Sequence, residues 1–342
     1  MRTMKAAVWY GGKDVRIEEI PEPDFGPNDV LVRVKAVGIC GSDLHAYEGI
    51  SKRRVPPLIM GHEIAGEIAD FGKDVEGLQK RNGVVVYPIL SCGECEYCRS
   101  GNENICRAIR FMGLHVPGGF AEYVAVPADR CYKMPPALMF EKACLTEPLA
   151  VAVHVVNNLP IRVNDTVLIV GAGAVGSMIT QVVRLRTSGR IIVTDILDSR
   201  LDQAKKLGAD VTINSRVKDV VEEISRITHG KGLDVSIEAV GIQSTIQQAL
   251  ASVKKGGTIT AVGLLEKNVE IDMMKLVSSE LKLHGSYIYN DYDFRSSISL
   301  IANDKVNLQP YLTHIFPLED ALKGFEGMAT NKENVLKVIL KP

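Results

Sequence analysis

The sequence predicts an α/β protein built in two parts, a strand-rich module followed by a doubly wound parallel sheet. Its 342 residues exceed what one hydrophobic core usually serves, so two domains of roughly 150 residues are expected. Up to about residue 148, short β-like runs are broken by turn residues, with Pro21, Pro23, Pro27, Pro56 and Pro57 punctuating them. Beyond that point strand-like and helix-like runs alternate at the pitch of βα units, which points to a parallel sheet with helices on its faces.

In the first part the strand-like runs extend from Lys5 to Tyr10, Asp29 to Val37, Ile64 to Phe71, Gly83 to Pro88 and Phe120 to Pro127. In the second, Thr166 to Val170 reads as a continuous apolar strand, Gly176 to Arg184 as a helix and Arg190 to Thr194 as the next strand. Ser199 to Leu207 follows as a helix with Leu201, Ala204 and Leu207 on one face, and Gly208 stands where a helix-ending glycine belongs. A strand from Asp210 to Asn214, a helix from Val217 to His229, a strand from Asp234 to Ala239, a helix near Thr245 to Ser252 and a strand from Thr258 to Gly263 continue the alternation. After Gly285 it weakens, so the C-terminal segment is expected to pack back onto the first part.

Composition narrows the function classes. With 40 Lys+Arg against 41 Asp+Glu, and no basic run longer than Lys52-Arg53-Arg54, the chain lacks the clustered cations that a nucleic-acid groove needs. Thr166 to Val183 carries no charge over a membrane-spanning length, but Gly171, Gly173, Gly176, Ser177, Thr180 and Gln181 fit a buried strand turning into a buried helix better. No apolar secretion segment opens the chain, so the expected location is the cytoplasm and no membrane partner is expected. Seven cysteines, four of them between residues 92 and 106, favour metal over disulfide.

Gly171-Ala-Gly173-Ala-Val-Gly176 follows the first strand of the second part and opens a helix. The first glycine makes a tight turn, the second lets backbone approach a pyrophosphate, the third lets helix pack on strand, and the helix N-terminus faces the phosphates. A purely structural turn would also explain the glycines alone. Asp195, ending the second strand, adds a carboxylate placed to accept adenosine ribose hydroxyls and to repel a 2′-phosphate, which favours NAD over NADP. Arg200 is either a stacking partner for adenine or a solvated helix-face arginine.

Two metal constellations stand in the first part. Cys92, Cys95, Cys98 and Cys106 are spaced C-x2-C-x2-C-x7-C, and four thiolates closing a tetrahedron describe structural zinc. A ferredoxin-type run would bring its fourth cysteine after three residues and follow it with Pro, where this chain has Arg107. The second set is dispersed over Cys40, His62, Glu63 and Glu147. Thiolate, imidazole and carboxylate are what a catalytic zinc takes as three protein ligands, leaving one position open, although each residue singly has a plain structural explanation.

Together GICGSDLH (38–45), GHEIAGEI (61–68), CGECEYCRSGNENIC (92–106), GGFAEYV (118–124), EPLAVAVH (147–154), VLIVGAGAVG (167–176) and VTDILDSRLDQAKKLGAD (193–210) resemble the zinc-dependent medium-chain alcohol dehydrogenase family. The likeness covers essentially the whole chain and is closest to the polyol branch of sorbitol, butanediol and threonine dehydrogenases. It implies a GroES-like β-rich catalytic domain over residues 1–149, completed by 286–342, around a Rossmann NAD-binding domain over 150–285, with the active site in the cleft between them. It implies one catalytic and one structural zinc. Cys40 and His62 match catalytic-zinc ligands, and Glu63 and Glu147 match carboxylate positions of which the sequence does not say which touches the metal. Ser42 matches the hydroxyl that takes the substrate's proton, and His45 the histidine that passes it to solvent.

Val175 and the backbone around Val262, Gly263 and Leu264 match contacts to NAD, while Tyr47 and Phe111 are candidates either for a substrate wall or for packing. Arg81-Asn-Gly-Val84 replaces the family's Gly-Asp-Arg-Val, so a turn is expected to differ there. Where sorbitol dehydrogenases carry an Arg-Tyr pair, this chain has Ile288 and Tyr289, so a short diol or secondary alcohol is expected to suit it better than sorbitol. The implied activity is hydride transfer between NAD and a secondary alcohol or ketone, in a small diol or polyol, by a homo-oligomer (dimer or tetramer). Two other functions compete. A non-zinc quinone-reductase-like NAD(P)H enzyme would lack the liganding residues, and a zinc- and NAD-binding regulatory or sensor protein without turnover would have no need of Ser42 and His45.

Overall fold

A computed structural model of the chain describes residues 2–51, 53–263, 268–331 and 333–342. The chain divides into two compact units, Met1–Glu147 with Asn290–Pro342, and Pro148–Tyr289.

In the first unit, the strand Asp29–Ile39 runs through the middle of the main sheet. Its residues Val30, Val32, Val34 and Ala36 fall at the two-residue period of one strand face and are all buried. It pairs antiparallel with Glu63–Phe71, with Tyr123–Pro127 and with Val338–Lys341. The last of these joins the C-terminal segment to the unit, because Val338, Ile339 and Leu340 are fully buried there. Gly83–Val86, Cys131–Lys133 and His314–Pro317 extend the sheet on its two sides. A separate three-stranded sheet holds Thr3–Gly11, Asp14–Pro21 and Leu58–Ile59. Arg81 takes φ 70°, a left-handed conformation that glycine adopts without steric cost, so the altered turn still turns in that sense at its first residue.

Register positions the chemistry. Gly38 faces Glu63 across one ladder and Ile39 faces Val338 across the next. Cys40, the His62-Glu63 pair and Lys337 are therefore delivered to the same end of three neighbouring strands, although the chain separates them widely.

The second unit is a six-stranded parallel sheet in the order Val211–Asn214, Ile191–Asp195, Val167–Val170, Leu233–Glu238, Val253–Ala261, Lys282–Gly285. Val167–Val170 and Ile191–Val193 are buried throughout, which is why they read as unbroken apolar runs rather than as alternations. The helices Ala174–Arg184, Asp198–Lys206, Val220–Thr228 and Gln243–Ser252 connect the strands. The helix expected from Val217 starts at Val220 because Asp219 caps it, its side chain accepting from Glu222 N at 2.9 Å. In chain order the sheet reads three, two, one, four, five, six, so the winding reverses between Val167–Val170 and Leu233–Glu238, where doubly wound sheets open a ligand crevice. No helix among the described residues is long and apolar enough to cross a membrane.

Candidate active site and metal centres

Cys40 leaves the strand Asp29–Ile39 and accepts the first hydrogen bonds of the helix Gly41–Tyr47, through Asp43 N at 3.0 Å and Leu44 N at 3.1 Å. Glu63 opens the facing strand, with His62 immediately before it. One donor atom each from Cys40, His62 and Glu63 lies within 4.8 Å of the other two. Glu147 lies outside that group, buried in the first turn of the helix Thr146–Asn157.

Glu63 is fully buried, and its Oε2 has no hydrogen-bond partner. A side chain on Gly38 would place Cβ 1.8 Å from that oxygen, so the bare glycine makes room for the carboxylate. An unpaired buried carboxylate oxygen beside a thiol and an imidazole is what a divalent cation satisfies, and the donor set fits zinc. Gly38→Ala is accordingly expected to displace the carboxylate and strip this centre of metal while leaving the four-cysteine centre loaded. Elemental analysis of the folded variant checks it, and full metal retention would sink the idea.

Three residues of this centre were invisible as site residues in the sequence. Asp43 Oδ2 accepts from Cys40 N at 2.9 Å, and its Oδ1 stands 3.6 Å from His62 Nδ1. Burial opposes charge on His62, but Asp43 and then Cys40 outweigh it and hold the ring well above the ordinary imidazole value. With Nδ1 turned to a carboxylate, Nε2 is the ring atom left for a cation. Burial likewise works against the Asp43 carboxylate, yet His62 and Arg54 keep it below its usual range. Lys337 donates to Ile39 O at 3.2 Å and forms a buried ion pair with Glu63 Oε1, so the two oxygens of Glu63 are divided between a lysine and the open centre. Burial should discharge this lysine, but Glu63 dominates and raises it above the normal lysine range. Phe111 meets His62 edge-on at 5.4 Å. Tyr47, 2% exposed, stacks on Phe325 in the core, so packing accounts for it.

The four-cysteine loop is compact. Sulfur separations are 3.8 Å between Cys92 and Cys98, 3.6 Å between Cys95 and Cys98, and 3.5 Å between Cys106 and Cys92. A disulfide would hold sulfurs at about 2.05 Å, whereas the edge of a zinc–thiolate tetrahedron with bonds of about 2.3 Å is about 3.8 Å. Backbone N–H groups of Cys98 and Arg107 draw the Cys95 thiol down to about 6, toward the thiolate a metal needs.

In the second unit Gly176 packs so closely on Gly171 O that a Cβ would lie 1.9 Å from it, as a helix-to-strand contact requires. Gly173 differs: its φ is −66°, and the nearest protein atom to an added Cβ is Arg200 Nη1 at 3.8 Å. Neither conformation nor packing within the protein calls for glycine there, so the backbone at the N-terminus of Ala174–Arg184 is left open to close approach by a ligand. Val175 is half-buried in the first turn of that helix. Val262 and Gly263 both donate their N–H to Glu238 O, at 2.8 and 3.2 Å, so what they can offer a ligand is carbonyl or side chain. Leu264 lies outside the described residues.

The Asp195 carboxylate is engaged by backbone donors of the protein itself. Its Oδ2 accepts from Ala172 N at 2.8 Å, and Oδ1 from Ile196 N at 2.7 Å and Leu197 N at 3.1 Å. The carboxylate ties the glycine turn to the end of the second strand, and Arg200 Nη1 stands 3.9 Å from it. Asp195→Ala is therefore expected to weaken NADH binding by about tenfold or more, at about 1 kcal/mol per hydrogen bond lost, and to narrow the preference over NADPH. Fluorescence titration with both cofactors decides it, and a wild type that already prefers NADPH refutes the assignment. At the end of this unit Tyr289 is fully buried, and Ile288 holds φ 45°, an outlier for a β-branched residue and a mark of local strain.

Residues 26–136 match the family model of the alcohol dehydrogenase GroES-like domain, and residues 174–303 that of zinc-binding dehydrogenases. The chain is similar to the sorbitol dehydrogenase of Bacillus subtilis (strain 168), 36% identical over 346 aligned positions covering 100% of this chain and 98% of that protein. Among solved structures, a zinc-binding dehydrogenase of Sinorhizobium meliloti 1021 bound to NADP superposes with TM-score 0.92 at 30% identity, each chain covered to 100%. An alcohol dehydrogenase of Escherichia coli CFT073 complexed with NADH does so with TM-score 0.94 at 30% identity, each chain covered to 99%.

Proposed function

Because this chain belongs to the zinc-binding alcohol dehydrogenase family, an NAD(P)-dependent oxidoreductase family with a GroES-like domain, we propose that it interconverts a small secondary alcohol or vicinal diol and its ketone with NAD. The observation that carries the reading is the convergence of Cys40, His62 and Glu63, with Glu63 Oε2 buried and unpaired among them.

A zinc ion held by Cys40, His62 and Glu63 would supply Lewis acidity to the substrate oxygen, and NAD bound at the Gly171–Gly176 turn would accept the hydride. The chain's own residues handle the proton. Ser42 Oγ receives it from the substrate hydroxyl, and His45 passes it to solvent. The two lie three residues apart on the helix Gly41–Tyr47, hence on one face. Cys92, Cys95, Cys98 and Cys106 would hold the second, structural zinc. Asp195 supports NAD over NADP by its charge.

Ile288 supports a short substrate. A distal hydroxyl left unpaired against an apolar wall costs about 1–3 kcal/mol, so 2,3-butanediol is expected to exceed sorbitol in kcat/KM by roughly ten- to a hundredfold. A panel of diols, polyols, threonine and simple secondary alcohols with NAD tests both claims. Faster turnover of sorbitol or xylitol removes the size argument, and no turnover of any alcohol by zinc-loaded protein removes the enzyme reading in favour of a sensor. The exposed edge strand Lys282–Gly285 supports a dimer or tetramer, which sedimentation would detect. Free cysteines support a reducing, cytoplasmic setting.

A further inference from the structure

Arg54 stands outside every motif quoted above, at the end of a three-residue basic run that composition alone would leave in solvent. Its side chain is instead 3% exposed and meets the fully buried carboxylate of Asp43 at 2.6 Å. A buried guanidinium is tolerated when its fork is filled with acceptors, and this one is. Nε donates to Gly113 O at 2.9 Å and Nη1 to Ser42 O at 2.8 Å. Nη2 donates to Asp43 Oδ1 at 2.6 Å and to Ser42 Oγ at 3.3 Å. Three of these contacts fall on two consecutive residues, the serine that receives the proton in the reading above and the aspartate that stands behind His62.

A hydroxyl offers one donor and two acceptor lone pairs. The bond from Arg54 occupies one lone pair of Ser42 Oγ and turns the O–H away from the guanidinium. One lone pair is then left to receive a proton. We propose that Arg54 is a positioning residue that sets the direction of the Ser42 relay: the substrate's proton arrives on the remaining lone pair as Ser42's own O–H proton departs toward His45 and solvent. Lysine would not substitute, because a point charge with three donors does not reach Gly113 O, Ser42 and Asp43 in one planar fork. This inference rests on Ser42 as the proton acceptor of the proposed dehydrogenase.

A double-mutant cycle on full-length, zinc-loaded protein, with NAD and the best alcohol of the panel, tests it. Ser42→Ala is expected to lower kcat by about a hundredfold and Arg54→Gln by about tenfold or more. The double variant should fall no more than about threefold below Ser42→Ala alone, since the two residues act as one unit. The solvent deuterium isotope effect on kcat should grow in Arg54→Gln, which loosening of the fold would not cause, while zinc content and NADH affinity stay unchanged. If Arg54→Gln does not fold, Arg54→Lys, which keeps a cation beside Asp43, carries the same cycle. Multiplicative losses in the double variant, or an unchanged isotope effect, would overturn the role of Arg54 and leave that of Ser42 intact. Undiminished turnover by Ser42→Ala would remove the relay itself, and Arg54's part in it.

Discussion

Cys40→Ser is expected to give a folded protein that binds NADH, holds one zinc where the parent is expected to hold two, and has kcat/KM reduced by about a thousandfold or more. The direction follows from what Cys40 touches. Its sulfur belongs to the cluster with His62 and Glu63, whereas its backbone carbonyl and N–H make hydrogen bonds to the following helix that survive the change. A serine hydroxyl is a poor stand-in for thiolate as a zinc ligand, because thiolate is softer and already charged. The dinucleotide turn lies in the other unit and keeps its own hydrogen bonds. Elemental analysis, NADH fluorescence titration and steady-state rates read the three consequences separately. Two zinc ions and parental rates in Cys40→Ser would place the chemistry elsewhere.

Cys95→Ser should act on stability instead, lowering the melting temperature by on the order of 10 °C and releasing the other zinc. Most residues from Cys92 to Gly101 are exposed or half-exposed, and the helix Glu96–Arg99 has no buried residue. So little apolar surface is buried there that the ion must supply what a core would. Loss should spread beyond the loop. Glu103, between the third and fourth cysteines, accepts from Tyr87 OH at 2.9 Å and from Asp291 N at 2.6 Å, tying the loop to the start of the helix Asp291–Ala302. A Cys95→Ser protein with full zinc and a melting temperature within about 2 °C of the parent would show that the cluster is not a metal site.

Much of the second unit was legible because its determinants are local. Strands buried on both faces read as apolar runs, and Gly171, Gly173 and Gly176 announce their turn within six residues. The four-cysteine loop was legible for the same reason. Less visible were the helices Gly41–Tyr47 and Thr146–Asn157, and the strand Asp14–Pro21. The first is short and flanked by glycines, the second is an apolar run that fits strand or helix, and the third is a half-exposed strand whose charges mask its period.

The amino-acid sequence by itself determined the parallel sheet, the glycine turn, the four-thiol loop and the list of dispersed donors, since each is written in residue types a few positions apart. Tertiary structure alone decided how the dispersed donors combine. The pairing of Gly38 with Glu63 brings Glu63 to Cys40 and His62 and leaves Glu147 outside, and the pairing of Ile39 with Val338 sets Lys337 on Glu63. It also took Arg54 out of solvent and turned Asp195 into a clasp on its own turn. Strand register is set by packing of whole faces, and burial turns a charge that would cost little in water into one that must find its partners. Neither is a property of any one residue or its near neighbours.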